Sequence, residues 1–515
     1  MNAHTRIVSI LLVVGLVGLG GYKAYELWSQ ETRQLLTTDA KNTKGSIRVA
    51  RDGWVGYFHL CSPQMETRLR QQGYLLECVD DQADYEARFR KLDKGEYQFA
   101  VGTVDSYVQN GAASGYPGPI VAVIDESKGG DAIVARASRI DSIEAFKTAS
   151  DFKVAFTPNS PSEHLLRALR SHFDITQLSH NGRWRLPVQG SEEALEKLKK
   201  GEVDVAVLWE PDVTRAQALP GIVRLLGTEN TRNLIVDVLI ANPKVLRDQP
   251  ELVSVFLKTW FQTQQYYRQN PAEWVDALKA EYKLNSSQIE QLVNGVDWKT
   301  LTDNMHDWYG GPNRQGGQEY LVDSINSAVN ILMDDQVFSR NPLPDSNPYR
   351  LINSSVISQL YETLSAGDFQ SQNSSAKKDR VFKSLSAADW QQLRAVGMLK
   401  VRPIQFASGT ADLTLDGKRE IDSMMERLQH YPNFRIEIRG HTGTRGDEEA
   451  NRVLSQDRAD AVYRYIDITY GTEANRYRAV GLGGSQPLPM LPGESNRAYG
   501  YRLPRVEIVL VSGEI

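Results

Sequence analysis

From residue 45 onward the chain alternates between short apolar runs and amphipathic stretches, and this alternation sets the first expectation. Runs at 46–50, 74–79, 97–101 and 120–124 read as strands, and 63–72 and 84–94, each closed by a glycine (Gly73, Gly95), read as helices. The rhythm resumes with strands at 153–156, 204–209, 221–226 and 234–241 around helices at 162–171 and 192–200, and helices dominate from 252 to about 335. Strands alternating with helices predict a mainly parallel sheet with helices on its faces. Further on, 434–439 alternates apolar and charged residues as a half-buried strand does. Gly440 and Gly446 allow a sharp turn, and a helix starts near Glu448. In that helix Ala450, Leu454, Ala461 and Tyr465 are predicted to share the inward face with Arg458. A strand at 401–406, an amphipathic helix at 415–429 and strands at 480–483 and 506–510 complete this C-terminal unit.

The segment 7–22 is apolar apart from Ser9 and flanked by Arg6 and Lys23. At about 16 residues it is short for a span, which needs about 20. No A-x-A-like site follows it, so an uncleaved transmembrane anchor over 1–25 is the expectation and a cleaved signal peptide the alternative. No cysteine lies nearby to carry a lipid. The absence of Asp and Glu argues against a proton-channel stator. The expected location is therefore the inner membrane, single-pass, with the bulk of the chain in the periplasm. Cys61 and Cys78, the two cysteines of the chain, can pair in such an oxidising compartment or remain buried thiols. A stretch rich in Ser, Asn, Asp and Pro at 339–398 reads as an interrupted linker.

Composition removes several classes. A net charge of −5 without a basic block excludes nucleic acid as the expected partner. The eight His are scattered, with neither His-Glu-x-x-His nor Cys-x-x-Cys. No nucleophile–base pair or metal-spaced cluster stands out, so no cofactor is expected, and binding rather than catalysis.

Two resemblances sharpen this. The run Gly440–Ala459, GHTGTRGDEEANRVLSQDRA, resembles the OmpA-like peptidoglycan-binding domain, which implies an α+β domain over 399–513. In that family an Asp directly after GHT, together with the helix Arg, grips the diaminopimelate of the stem peptide. The Arg matches Arg458; the Asp is replaced by Gly443. The resemblance implies a site at His441, Thr442, Gly443, Asn451, Arg458 and Arg505, with peptidoglycan as partner. Asp447 is a possible replacement carboxylate, and Glu437 a possible internal partner for Arg458.

Residues 45–338 resemble type 2 periplasmic solute-binding proteins of the nitrate, sulfonate and thiamine-precursor branch. The resemblance rests on Trp54-Val55-Gly56-Tyr57, Asp125-Glu126-Ser127, Gly129–Val134, Gly201–Ala206, Trp209-Glu210-Pro211 and Asp237-Val238-Leu239. It implies two α/β lobes, 45–128 with 236–338 and 129–235, joined by a hinge and enclosing a ligand cleft. Trp54, Tyr57 and Trp209 offer flat apolar surface, and Ser160 and Ser162 open a helix. Asp125, Ser127, Asp131, Glu210 and Asp237 converge on the same region, with Arg51 and Lys128 the nearby cations. That balance disfavours a bare anion and favours an organic amine, a zwitterion or a neutral heterocycle. The combined expectation is an anchored envelope sensor or scaffold tethered to peptidoglycan. The alternatives are a receptor for an ABC permease and, more remotely, an enzyme on the same lobes.

Overall fold

The computed structural model describes residues 43–311, 319–363, 382–407, 409–473 and 475–513. The apolar segment 7–22 lies outside these. Among the described residues no helix is long and apolar enough to cross a membrane.

The chain builds strands β1 (Gly45–Arg51), β2 (Tyr74–Asp80), β3 (Phe99–Thr103) and β4 (Ile120–Ser127) and then crosses into β5 (Asp131–Arg136), β6 (Val154–Phe156), β7 (Arg185–Pro187), β8 (Val205–Trp209) and β9 (Ile222–Gly227). It returns through β10 (Val236–Ala241) to β11 (Val296–Trp298). The first lobe is a six-stranded sheet of order β11-β4-β10-β3-β1-β2, and the second a five-stranded sheet of order β7-β6-β8-β5-β9. β1 runs parallel to β2 and β3, and β6 to β7 and β8, while β10 and β11 in the first sheet and β5 in the second are the antiparallel members. β3, β4 and β10 are buried at every position, because helices cover both faces of the sheet. That is why they read as unbroken apolar runs rather than alternations. This is a bilobed, periplasmic-binding-like α/β fold.

The lobes are joined by two crossings, 128–130 and 228–235. They are stitched together where Ser127 N–H donates to the Ile235 carbonyl at 3.1 Å and Ser127 Oγ meets Thr228 Oγ1 at 2.7 Å. In the first lobe Cys61 and Cys78 form a disulfide with Cα atoms 6.1 Å apart, tying the short helix Phe58–Cys61 to β2.

The C-terminal sheet has the order β12-β15-β13-β14, from β12 (Arg394–Leu399), β13 (Arg435–His441), β14 (Tyr477–Gly481) and β15 (Arg505–Ser512). β13 buries alternate residues because helices Leu415–Leu428 and Glu448–Tyr470 cover one face only. The inward face of the long helix is Ser455, Ala459, Val462 and Ile466. This corrects the expected set of Ala450, Leu454, Ala461 and Tyr465, which lies one position out of phase.

Two further expectations are corrected. The stretch 339–398 is not a linker in its described parts. Leu343, Leu351, Val356, Ile357 and Leu360 are buried in the first lobe, and Ile352 bridges to Ile120 on β4. Its last residues supply β12. A few apolar anchors among exposed polar residues are enough to hold a covering segment, and composition alone does not register them. Residues 401–406 form no strand; Phe406 makes a single bridge to Leu413.

The C-terminal domain shares a hydrophobic core with the second lobe, joining Phe146, Leu169 and Phe173 to Tyr431, Phe434 and Ile436. A Cβ at Gly397 would stand 2.5 Å from the Phe173 ring, so only glycine permits this approach.

Candidate functional site

The cleft forms where β1, β3 and β8 end and β10 begins, opposite the start of helix Pro161–Phe173. It is lined by Asp52, Trp54, Tyr57, Tyr85, Thr103, Asp131, Pro161, Trp209, Ile235 and Asp237. The lobes are closed on it, leaving a cavity of about 10 Å³, the room of roughly one water.

Carboxylates dominate the walls. Asp125 on β4 and Asp237 on β10 are register partners, both almost fully buried. Trp54 Nε1 donates to Asp125 at 3.2 Å, and the Tyr57 hydroxyl donates to Asp237. Asp125 Oδ2 has no partner. Burial raises both groups above the usual carboxylate range, and for Asp237 the charge of Asp125 raises it further, which favours a proton shared by the pair. Burial also pushes Asp131 to about 7, and Asp105, in the first turn of helix Val104–Gly111, to about 7.

The cations nearby are committed elsewhere. Arg88 is fully buried and bonds Asp52 at 3.0 Å and Asp81 at 2.8 Å. Lys128 pairs with Glu126 at 2.8 Å. Lys299 joins Glu126 at 3.3 Å. Burial alone would raise Glu126, but these two cations outweigh it and hold it at about 2. Arg51 turns to Glu281 at 3.5 Å. Among the described residues, Asp125, Asp131 and Asp237 have no cation paired with them.

Of the expected cleft residues, Trp54, Tyr57, Asp131, Trp209 and Asp237 line the cavity; the other five do not. Asp125 lies behind Trp54. Ser127 is a hinge residue that accepts from the Asp131 N–H at 3.1 Å. Ser160 caps its helix by accepting from the Ser162 N–H at 3.2 Å, and Ser162 Oγ is buried without a partner. Glu210 turns back to Thr214, accepting from its N–H at 3.0 Å and its hydroxyl at 2.8 Å. Sequence reasoning missed Asp52, Tyr85, Thr103 and Asp105. Asp52 carried a usable signal, an acid directly after a strand, where α/β folds place ligands. Asp105 was masked by the ordinary preference for acids in a first helical turn.

The second site surrounds the C-terminal end of β13. Arg458 is half-buried. Its Nε donates to the Thr410 carbonyl at 3.2 Å, its guanidinium lies 5.1 Å from the Phe406 ring centre, and no carboxylate pairs with it among the described residues. Burial lowers its pKa from the ordinary value. The expected internal partner is engaged elsewhere, since Glu437 binds Arg439 at 2.6 Å. Asp447 accepts from the Ala450 N–H at 2.8 Å as the helix cap, so it does not replace the missing acid. Gly443 is not in the left-handed region, and a Cβ there would meet nothing within 4 Å.

Thr442 N–H donates to the Gly483 carbonyl at 2.9 Å, and Asn451 Nδ2 to the Arg445 carbonyl at 3.0 Å. Both fix the turn. His441 is buried with Nε2 3.2 Å from Glu507, and Arg505 pairs with the same Glu507 at 2.6 Å. Burial alone would raise Glu507, but these two contacts outweigh it and hold it at about 2. Arg505 is thus tied to Glu507, leaving Arg458 as the guanidinium of this set without an acid.

Residues 405–497 match the sequence model of the OmpA family, so the chain carries an OmpA domain. Over 107 residues it is 33% identical to "Probable lipoprotein YiaD" of Escherichia coli (strain K12), which covers 21% of this chain and 47% of that protein. Over 85 residues it is 32% identical to the "Peptidoglycan-associated lipoprotein" of Rhizobium meliloti (strain 1021), which covers 16% of this chain and 48% of that one. The chain spans about half the length of these curated relatives. Among solved structures, the alkanesulfonate-binding protein SsuA from Xanthomonas axonopodis pv. citri bound to MOPS aligns at 13% identity with a TM-score of 0.47, covering 61% of this chain and 99% of that one. The aliphatic sulphonate binding protein SsuA from Escherichia coli aligns at 15% with a TM-score of 0.45, covering 60% and 99%.

Proposed function

We propose that the chain is an envelope protein that binds a small organic amine or zwitterion between its lobes and holds peptidoglycan through its C-terminal domain. It acts as a sensor or scaffold and not as a catalyst. In this reading residues 1–25 anchor it in the inner membrane and the rest lies in the periplasm. The observation that carries the ligand class is the pair of buried carboxylates on the cavity wall, Asp131 and Asp237, with Asp125 behind them as the register partner of Asp237, none with a cation paired to it among the described residues. Burying such groups costs several kcal/mol unless a proton or a bound cation compensates. An ammonium group supplies that compensation; nitrate or sulfate adds repulsion. Trp209, half-buried at the cavity wall, gives an organic body an apolar face. Because the closed cavity holds roughly one water, ligand entry requires the lobes to part.

Peptidoglycan association is supported by the match to the OmpA family and by the guanidinium of Arg458, which has no carboxylate paired to it among the described residues and whose planar fork suits one. The test is a thermal-shift screen of the purified chain against organic amines, zwitterions and inorganic anions. Stabilisation by amines or zwitterions is expected; stabilisation by inorganic anions alone overturns the reading.

A further inference from the structure

The corner between helix Leu415–Leu428 and β13 reaches out of the C-terminal domain and touches three parts of the bilobed module at once. On the return crossing, the Arg232 N–H donates to the His430 carbonyl at 2.9 Å, and His430 Nδ1 lies 2.9 Å from the Arg232 carbonyl. Asn433 Nδ2 donates to the Glu229 carbonyl on the same crossing at 2.8 Å. On the first lobe, His430 Nε2 bonds Ser327 Oγ at 2.9 Å, in the helix Tyr320–Asp334. On the second lobe, the His430 ring stacks on His172 with centroids 5.6 Å apart, and His172 Nδ1 bonds the Tyr431 hydroxyl at 2.8 Å. His172 and His430 are buried.

These contacts adjoin a seam between the lobes. Arg167 on the second lobe bonds Asp335, after the first-lobe helix, at 3.1 Å, and Ser171 Oγ donates to Asp334 at 2.7 Å. Ile331, on the first-lobe helix, joins the core shared by the second lobe and the C-terminal domain. Hinge bending that parts the lobes changes the backbone of the crossings. A corner whose side chains bond a crossing and both lobes, His430 to Arg232 and Ser327 and Tyr431 to His172, therefore opposes that change.

We propose that the C-terminal domain is a clamp on the bilobed module. Its 430–433 corner, bonded to the return crossing and to both lobes, holds the cleft closed, and displacement of that corner releases it. Whatever the C-terminal domain binds is then energetically linked to whatever the cleft binds, and the linkage is reciprocal. The clamp does not depend on which ligand enters.

The test uses the whole chain with spin labels at Glu86→Cys and Glu192→Cys. These exposed positions flank the contact between Gln82 and Gln189 at the cleft mouth, 3.4 Å apart. Pulsed electron–electron distance measurements need no ligand. The labelled chain is expected to give one short distance. His430→Ala, Asn433→Ala and Ser327→Ala, each in that background, are expected to add a longer one, with the open population rising about tenfold, the weight of one or two lost hydrogen bonds. Ser327→Ala removes the His430 bond from the first-lobe side, so the test survives if His430→Ala fails to fold. An unchanged short distance in Ser327→Ala and Asn433→Ala, with unchanged circular dichroism, overturns the proposal. So does an open population in the parent chain equal to that of the variants.

Discussion

Asp125 and Asp237 face each other across the β4–β10 ladder, two buried acids on the two strands that lead into and out of the second lobe. A like-charge pair at a hinge is a standing penalty that a proton or a bound cation relieves. Asp237→Asn keeps an acceptor for the Tyr57 hydroxyl and removes one charge. The variant is expected to be more stable than the parent by about 1–3 kcal/mol at pH 8, and to lose any amine-dependent shift in melting temperature. Thermal melts with and without an amine panel check both parts.

Asp131 gives a pH dependence whose sign is fixed. Its folded pKa is about 7, raised above an unfolded value near 4. Between these values the folded state binds more protons than the unfolded one. Its contribution is thus fully present below about pH 4 and lost as pH rises through 7. The buried histidines act in the opposite sense. His172 and His430 are lowered by burial, so their contribution is present above about 6.5 and lost as pH falls. Asp131→Asn is expected to remove the loss between pH 4 and 7 that Asp131 causes and to leave the parts due to Asp105, raised in the same way, and to the histidines. Denaturant melts of both proteins across pH 4–8 give the difference curve; parallel curves would show that Asp131 does not titrate in this window.

The two cleft tryptophans should behave differently. Trp54 is 5% exposed and donates to Asp125, so Trp54→Ala is expected to cost about 3–5 kcal/mol of folding stability. Trp209 is half-buried at the cavity wall, and Trp209→Ala is expected to leave the fold intact while costing about 1–3 kcal/mol of ligand affinity. Calorimetric titration beside a denaturant melt separates the two effects. Equal stability losses in both variants would contradict the assignment.

At the C-terminal site, Arg458→Ala is expected to reduce sedimentation with purified sacculi at least tenfold, since a charged hydrogen bond carries about 1.5–3 kcal/mol. Gly443→Asp is expected to increase it. The backbone at Gly443 is not in the glycine-only region and the space beyond it is open, so the new carboxylate is added without strain. Sedimentation of the Arg458→Ala chain equal to the parent's would point to a docking surface for another envelope component.

Much of the architecture was legible because it is written in short-range pattern. The apolar runs of β3, β4 and β10 and the alternation of β13 each follow from how many faces the sheet covers. The acids at 125, 131 and 237 could be placed near one cleft because each stands at or beside a strand end. What failed to show was whatever depends on direction. The inward face of helix Glu448–Tyr470 was misphased by one residue, which nonetheless left Arg458 on the flank, half-buried. Glu210 and Ser160 stand at the right places in the chain yet point to their own helices, because a local N–H is a nearer partner than a ligand.

The sequence by itself determined the two α/β lobes, the strand–turn–helix of the C-terminal domain, and the acidic character of the region between the lobes, since these rest on periodicity and on residue type. Only the tertiary structure decided that the cleft is shut to the size of a water and that, among the described residues, Arg458 has no acid against it. The tertiary structure also decided that residues 339–363 cover the first lobe, and that the 430–433 corner meets the hinge and both lobes. The reason is physical. Pairing, closure and docking are set by contacts between residues as far apart in the chain as Arg232 and His430, and no local pattern encodes which of many chemically suitable partners a folded chain brings within 3 Å.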